Sequence, residues 1–352
     1  MIKEAAIYQT GNAWEKKVYR HMAAYLESKG VKRFGETTAG NQYRHWLCDE
    51  DAELNFVNPS IYKTTLERFE KHKAGDLKRI LTNTAASQPY CFNLFVHLSQ
   101  NPGLADALFS ELLSTKVEIA HIEPEFTPNK LKELSGFEQV LEDESIGDQS
   151  EFAGTDADVA IFYKYGNSQK GVLLIEFKFI EPEFSVCSSY KKKIEAKPIC
   201  DNPEFFDTLI AKVKTDSKGN PLCGYTKYQN WNLTSTSTVI DGEKVRQSAQ
   251  CPFRFGLNQL WRNMLLAERV ATARGLDRFG FWVFSPKPND EFLWKERGHD
   301  VEQLFRHILT EKGNECFKKI HLEDIITNLE TLIKYETDIT WLTMLKEKYW
   351  LV

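Results

Sequence analysis

Glu176 and Lys178 stand two residues apart in an otherwise apolar run, Gly171-Val172-Leu173-Leu174-Ile175-Glu176-Phe177-Lys178-Phe179. In an extended chain, residues two apart project from the same face, so the carboxylate and the ammonium share one side while Ile175 and Phe177 share the other. Charges set into such a strand cost stability unless they are satisfied or used. Asp158 lies eighteen residues before Glu176, at the head of a second apolar run, Val159-Ala160-Ile161-Phe162. Folded back on one another, the two runs bring Asp158 near Glu176 at one end of a hairpin. Two carboxylates there offer hard oxygen ligands to Mg²⁺ or Mn²⁺. Lys178 beside them can orient an attacking water and offset charge developing on a phosphate. Asp156 shares a face with Asp158 and is an alternative to it; Asp158 is preferred because it directly precedes the apolar run.

These residues need a sheet to hold them. Residues 158–163 and 171–179, rich in β-branched and aromatic side chains, read as strands joined across Gly166-Asn167-Ser168-Gln169-Lys170, an antiparallel hairpin. Val117-Glu118-Ile119-Ala120-His121-Ile122 alternates and then meets Pro124 and Pro128, so it reads as a strand ending in a loop. Trp14, Val18 and Met22 mark a helix over residues 13–25, and residues 257–273 form another, closed by Gly275. Residues 77–98 read as two short helices interrupted at Ser87-Gln88-Pro89, with the second at 90–98 and Pro89 suited to its first turn. Phe279-Gly280-Phe281-Trp282-Val283-Phe284 reads as a buried strand stopped by Ser285-Pro286-Lys287-Pro288. Leucine and isoleucine spacings after it predict a helical C-terminal layer.

The arrangement Asp158 … Glu176-Phe177-Lys178 resembles the signature of the PD-(D/E)xK nuclease superfamily. Five short blocks, beginning Ser87-Gln88-Pro89-Tyr90, Glu123-Pro124-Glu125-Phe126, Thr155-Asp156-Ala157-Asp158, Ile175-Glu176-Phe177-Lys178 and Asn258-Gln259-Leu260-Trp261-Arg262-Asn263, are similar in order to a family of bacterial restriction endonucleases in that superfamily. The resemblance spans residues 87 to 273. It implies an α/β, restriction-endonuclease-like mixed central sheet flanked by helices, with N- and C-terminal helical additions. It further implies a metal-dependent DNA endonuclease of genome defence, with Asp158 and Glu176 binding the ion and Lys178 assisting water attack.

On this reading residues 1–86 form an N-terminal helical region, 87–290 the nuclease core with an insertion at 187–256, and 291–352 the C-terminal layer. The superfamily commonly places a glutamate on a helix before the hairpin. Gln88 and Asn93 occupy that helix here, where they serve either the site or as caps and surface groups. Glu125 or Glu123 can supply the missing charge, with Glu125 a metal-ligand candidate. Gln259 and Arg262 are three apart on one helix face. They resemble the Gln and basic residues that meet the backbone or order the site in such nucleases, and Arg suits bidentate phosphate binding.

Cys187, Cys200, Cys223 and Cys251 all follow the hairpin. Four thiolates suit a tetrahedral zinc ion or an iron–sulfur cluster, but no two are spaced as CxxC, and free cysteines also serve as small buried hydrophobes.

The formal charge of −5 conceals an asymmetry. Residues 121–160 carry eleven Asp/Glu against Lys130 and Lys132, and residues 187–278 carry fifteen Lys/Arg against nine Asp/Glu. An acidic cluster followed by a basic stretch fits a cation site beside a polyanion track, or two solvated faces. Lys191, Lys192 and Lys193 with Tyr190 and Lys197 suit backbone phosphates. Tyr225, Tyr228 and Trp231 with Lys227 and Gln229 suit stacking on unpaired bases or plain core packing.

The chain has 352 residues, 42% of them hydrophobic, and no run approaches the ~20 apolar residues of a membrane helix. Its start lacks the apolar core of a secretory leader, and seven cysteines suggest no disulfide framework, so a cytoplasmic setting is expected. There is no P-loop, GxGxxG or HExxH, which argues against an NTPase, a dinucleotide enzyme or a zinc protease. Expected partners are DNA, with RNA open because the metal chemistry serves either backbone, a second copy for cutting both strands, and a separate motor or defence-complex protein. The rival is a nucleic-acid-binding module that keeps the fold without cleaving.

Overall fold

A computed structural model describes residues 6–37, 39–72, 76–128, 131–140, 156–187, 190, 200, 223, 230–248, 250–254, 256–296 and 298–351. In chain order the elements are α1 (Ala13–Ser28), β1 (Phe34–Glu36), β2 (Gln42–Leu47), α2 (Pro59–His72), α3 (Leu77–Thr82), α4 (Ser87–Gln100), α5 (Pro102–Leu113), β3 (Val117–Phe126), β4 (Ala157–Tyr165) and β5 (Gln169–Phe177). There follow α6 (Asn230–Thr236), α7 (Gly242–Arg246), α8 (Leu257–Ala273), β6 (Arg278–Ser285), α9 (Asp290–Leu293), β7 (Lys295–Glu296), β8 (His299–Asp300), α10 (Val301–His307), α11 (Glu311–Cys316), β9 (Phe317–His321), α12 (Leu322–Leu332) and α13 (Glu336–Tyr349).

The central sheet has the order β3-β4-β5-β6-β9. β3, β4 and β5 are antiparallel neighbours, whereas β5, β6 and β9 run parallel. A parallel neighbour cannot be reached by a tight turn, so the chain leaves β5, crosses one face and re-enters at β6. That crossover carries α8. On its face Phe162, Leu174, Phe281 and Val283 of the sheet meet Leu260, Trp261, Met264 and Leu265 of α8. On the other face Ile161, Ile175, Phe177 and Phe284 meet Phe95 of α4, Phe109 of α5, Ile325 of α12 and Trp341 of α13. Covered on both faces, β5 reads as a continuous apolar run rather than an alternating one. Each fully buried aliphatic side chain there contributes about 1.5–3 kcal/mol.

Local signals set the boundaries. α1 opens on a capping box in which Asn12 and Glu15 exchange side-chain to backbone bonds, each at 2.9 Å. In the hairpin, Tyr163 pairs with Gly171 and lays its ring over it; a methyl on Gly171 would lie 2.4 Å from the ring Cζ.

Two expectations are corrected. The break between the two short helices lies at residues 83–86, and Ser87-Gln88-Pro89 forms the first turn of α4, where proline's missing N–H has no intrahelical partner to lose. β3 continues through Pro124 to Phe126, which an edge strand tolerates. The N- and C-terminal parts are helical, as expected from the sequence; the first also holds the β1–β2 hairpin and the second contributes β9 to the central sheet. No helix among the described residues is long and apolar enough to cross a membrane.

Candidate active site

The ends of three strands line up. Pro124 pairs with Val159 and Phe126 with Ala157, so Glu125 stands across from Asp158. Val159 pairs with Ile175, so the next step of that register sets Asp158 across from Glu176. Glu125, Asp158 and Glu176 thus form a row across β3, β4 and β5, and Asp158 Oδ2 accepts the N–H of Phe177 at 2.7 Å. Lys178 follows β5 directly, and its N–H donates to the carbonyl of Phe284 at 2.8 Å, extending the pairing with β6.

Glu176 and Lys178 are both buried, at 3% and 7% exposure, and Lys178 Nζ meets Glu176 Oε1 at 2.8 Å. α8 supplies the rest. Gln259 Nε2 donates to Glu176 Oε1 and Asn263 Nδ2 to Glu176 Oε2, each at 2.6 Å, while Gln259 Oε1 accepts the N–H of Ser185 at 2.9 Å. Gln259 and Asn263 are four apart on one helix face, so a single helix orients both oxygens of the carboxylate.

Glu125 has φ +51°, the left-handed region that non-glycine residues rarely adopt and that recurs at functional sites. From the first turn of α4, Gln88 Nε2 donates to Glu125 Oε1 at 3.1 Å. The amide oxygen of Gln88 is buried and has no hydrogen-bond partner among the described residues.

Crowded carboxylates hold their protons. Burial raises Asp158 well above the usual aspartate value, with Glu176 and Glu125 adding to it and Lys178 and the Phe177 N–H opposing. Burial also lifts Glu125 to about 7, helped by Asp156 and Glu176 and opposed by Gln88 and Arg68. For Lys178 burial works against the charge, but Glu176, Glu181 and Asp158 outweigh it and hold the ammonium above its ordinary value.

Sequence reasoning missed Asn263 as a site residue, although the i, i+4 spacing from Gln259 was readable. It also missed Glu181. Glu181 accepts from Ser87 Oγ at 2.8 Å, Arg79 Nη2 at 3.1 Å and the Phe179 N–H at 3.1 Å. Against its burial, Lys178 and Arg79 hold its carboxyl below the usual range. Its offset of three from Lys178 was the available signal.

Other candidates lie elsewhere. Asn93 spends its side chain on structure: Nδ2 donates to Asn55 O, Pro89 O and Tyr349 Oη, and Oδ1 accepts the Val57 N–H. Glu123 is paired with Arg68, which also bonds Pro124 O. Asp156 is exposed just ahead of β4. Arg262 is half-buried on α8. Lys191, Lys192, Lys193, Lys197, Tyr225, Lys227, Tyr228 and Gln229 lie outside the described residues. Trp231 is core, packed against Phe253 and Trp261. Cys187, Cys200, Cys223 and Cys251 are all buried. The Cys251 N–H donates to Cys200 O at 2.8 Å, Cys223 Sγ accepts from Trp231 Nε1 at 3.4 Å, and burial pushes the Cys251 thiol up.

Among the described residues, no three His, Cys, Asp or Glu side chains are already gathered around a point where a metal ion would sit. The donor chemistry of the strand row nevertheless fits a hard cation. Three carboxylates stand in one row across neighbouring strands, next to a buried amide whose oxygen has no partner among the described residues.

A family model described as restriction endonuclease associating with ARP matches residues 19–350. No curated protein and no solved structure matches the chain.

Proposed function

The chain belongs to the family of restriction endonucleases associating with ARP, and from that premise we propose that it hydrolyses DNA phosphodiesters with a divalent cation, Mg²⁺ or Mn²⁺, at the strand row. The observation that carries this is the alignment of Glu125, Asp158 and Glu176 across three neighbouring strands with Lys178 Nζ 2.8 Å from Glu176. Asp158, Glu176 and Glu125 would hold the cation, with Gln88 turning its amide oxygen toward it. When bound, the cation supplies Lewis-acid polarisation of the phosphoryl group and eases deprotonation of the attacking water.

The chain's own groups do the rest. Lys178, kept protonated by its carboxylates, orients the water and offsets negative charge gathering on the phosphate. Gln259 and Asn263 fix Glu176 in one orientation, so no reorganisation is needed at the moment of attack. Water gives up a proton to solvent and adds to phosphorus, the P–O bond to the leaving sugar breaks, and the leaving oxygen takes a proton from solvent. Arg262 and the lysines at 191–193 are assigned to backbone phosphates. The family description supports association with ARP, to which we assign the motor role. A second copy would supply the second cut of a duplex, and the cytoplasm is the setting.

The test incubates wild type and Lys178→Ala with plasmid, linear duplex, single-stranded DNA and RNA, each with Mg²⁺, Mn²⁺ or EDTA. Cation-dependent DNA cleavage that Lys178→Ala loses by roughly 100-fold or more is expected. Cleavage of RNA alone would transfer the same chemistry to the other backbone. Binding without cleavage, even with the ARP partner added, would leave a recognition module.

A further inference from the structure

The parallel strands β5, β6 and β9 all begin at the end of the sheet away from the carboxylate row, and a cavity of about 410 Å³ opens there. That volume lies in the range of small-molecule sites. Three cations line it: Arg278, Lys312 and Lys318. Arg278 is exposed, with its guanidinium 5.2 Å from the Tyr165 ring centroid. Lys312 Nζ donates to Thr238 Oγ1 at 3.1 Å over the Phe279 ring, and Lys318 Nζ donates to Leu112 O at 3.0 Å over the Trp282 ring. None of the three forms an ion pair among the described residues, although Asp277 and Glu315 also face the cavity. Asp277 Oδ2 is instead engaged by the Lys170 N–H at 2.8 Å.

Neutral donors point the same way. Trp282 lines the cavity, and its indole N–H opens onto it and meets no acceptor among the described residues. Gly280 leaves the space beside it: a methyl there would lie 3.3 Å from Trp282 Nε1. The Tyr163 hydroxyl, on the same wall, has no partner among the described residues either. Both donors open onto the cavity, so a ligand's oxygens meet them without displacing a protein partner. Cations that repel one another, with burial and Arg278 both lowering Lys318, add the same demand for negative charge. Leu113, Leu276 and Phe279 form an apolar wall beside these donors.

We propose that this cavity is a second ligand site, which binds a small phosphorylated molecule carrying an aromatic base, a nucleotide. Its phosphates meet Arg278, Lys312, Lys318 and the Trp282 N–H, and its base lies against the apolar wall. The cavity shares no residue with the carboxylate row, so it acts as an effector site rather than as part of the cleavage machinery.

The test is calorimetric titration of the full chain in EDTA with ATP, inorganic pyrophosphate and a short DNA duplex as probes. Wild type, Arg278→Ala, Lys312→Ala and Lys178→Ala are compared. Both cavity substitutions are at exposed positions, so folding is retained. The expected result is ATP binding at one site per chain, tighter than pyrophosphate. Arg278→Ala and Lys312→Ala each weaken it roughly tenfold, as for loss of one charge-assisted contact, and Lys178→Ala leaves it unchanged. Equal affinity for pyrophosphate and ATP would overturn the nucleotide assignment. Duplex binding that depends on Arg278 without ATP binding would make the cavity a DNA-backbone contact. ATP binding insensitive to Arg278, or no binding, would overturn the proposal outright.

Discussion

Asn263 Nδ2 donates to Glu176 Oε2 at 2.6 Å, joining the middle of α8 to the end of a strand 87 positions earlier in the chain. A hydrogen bond to a charged, buried group is worth about 1.5–3 kcal/mol. Asn263→Ala should therefore lower cleavage by about 10–100-fold, as loss of a group orienting a ligand does elsewhere. Circular dichroism should stay close to wild type while the melting temperature falls by about 2–4 °C, as loss of that bond requires. Unchanged cleavage would remove Asn263 from the site.

Cation affinity should rise with pH. Glu125 titrates at about 7, and Asp158 is raised well above its usual value, so a cation competes with protons for this row below neutrality. Mn²⁺ binding followed by calorimetry should be weaker at about pH 6 than at about pH 8, with protons released on binding. Glu125→Gln should flatten the dependence. An affinity independent of pH would contradict the assigned ligands.

Stability without a cation should run the other way. Between about 4.5, the ordinary glutamate value, and about 7, the folded chain keeps a proton on Glu125 that the unfolded chain has lost. The native state then binds more protons than the unfolded one, so stability falls as pH rises through this window and levels off above it; Asp158 contributes in the same direction. Urea midpoints in EDTA at about pH 5 and about pH 8 test this. Glu125→Gln should recover part of the loss, and a midpoint that climbs with pH would refute the cause assigned here.

The reading of the hairpin as a core strand pair has its own test. Ile175 is fully buried and packs on the face that carries α4 and α13. Ile175→Ala should cost about 2–5 kcal/mol in denaturant unfolding while leaving the carboxylates in place. A loss below about 1 kcal/mol would mean that the site can collapse around the missing groups.

What could be read beforehand was whatever depends on near neighbours. Asp158, Glu176 and Lys178 were legible because alternation along a strand and one turn settle which residues share a face. β9 was not, because Phe317-Lys318-Lys319-Ile320-His321 sets two lysines in a five-residue strand. Their stems lie along the sheet while Lys318 reaches the Trp282 ring and Lys319 pairs with Asp290 at 2.7 Å. Pro124 looked like a strand end because only the sheet order reveals that β3 is an edge. Asn93 looked like a site residue because its helix was right; its actual partners, at 55, 57 and 349, are remote in sequence. The left-handed backbone at Glu125 left no mark in residue type.

The parallel step from β5 to β6 also bears on the order in which the molecule is made. The carboxylate row and Lys178 leave the ribosome well before α8, since Glu176 precedes its two amide partners by 83 and 87 positions. A nascent chain that ends short of Leu257 holds every acidic group of the row but lacks the helix that orients Glu176. The β5–β6 ladder, which includes Gly171 opposite Arg278, can close only after that helix has been made. Assembly of the site is therefore deferred until most of the polypeptide exists, and abortive fragments cut off by premature termination carry the signature without the machinery.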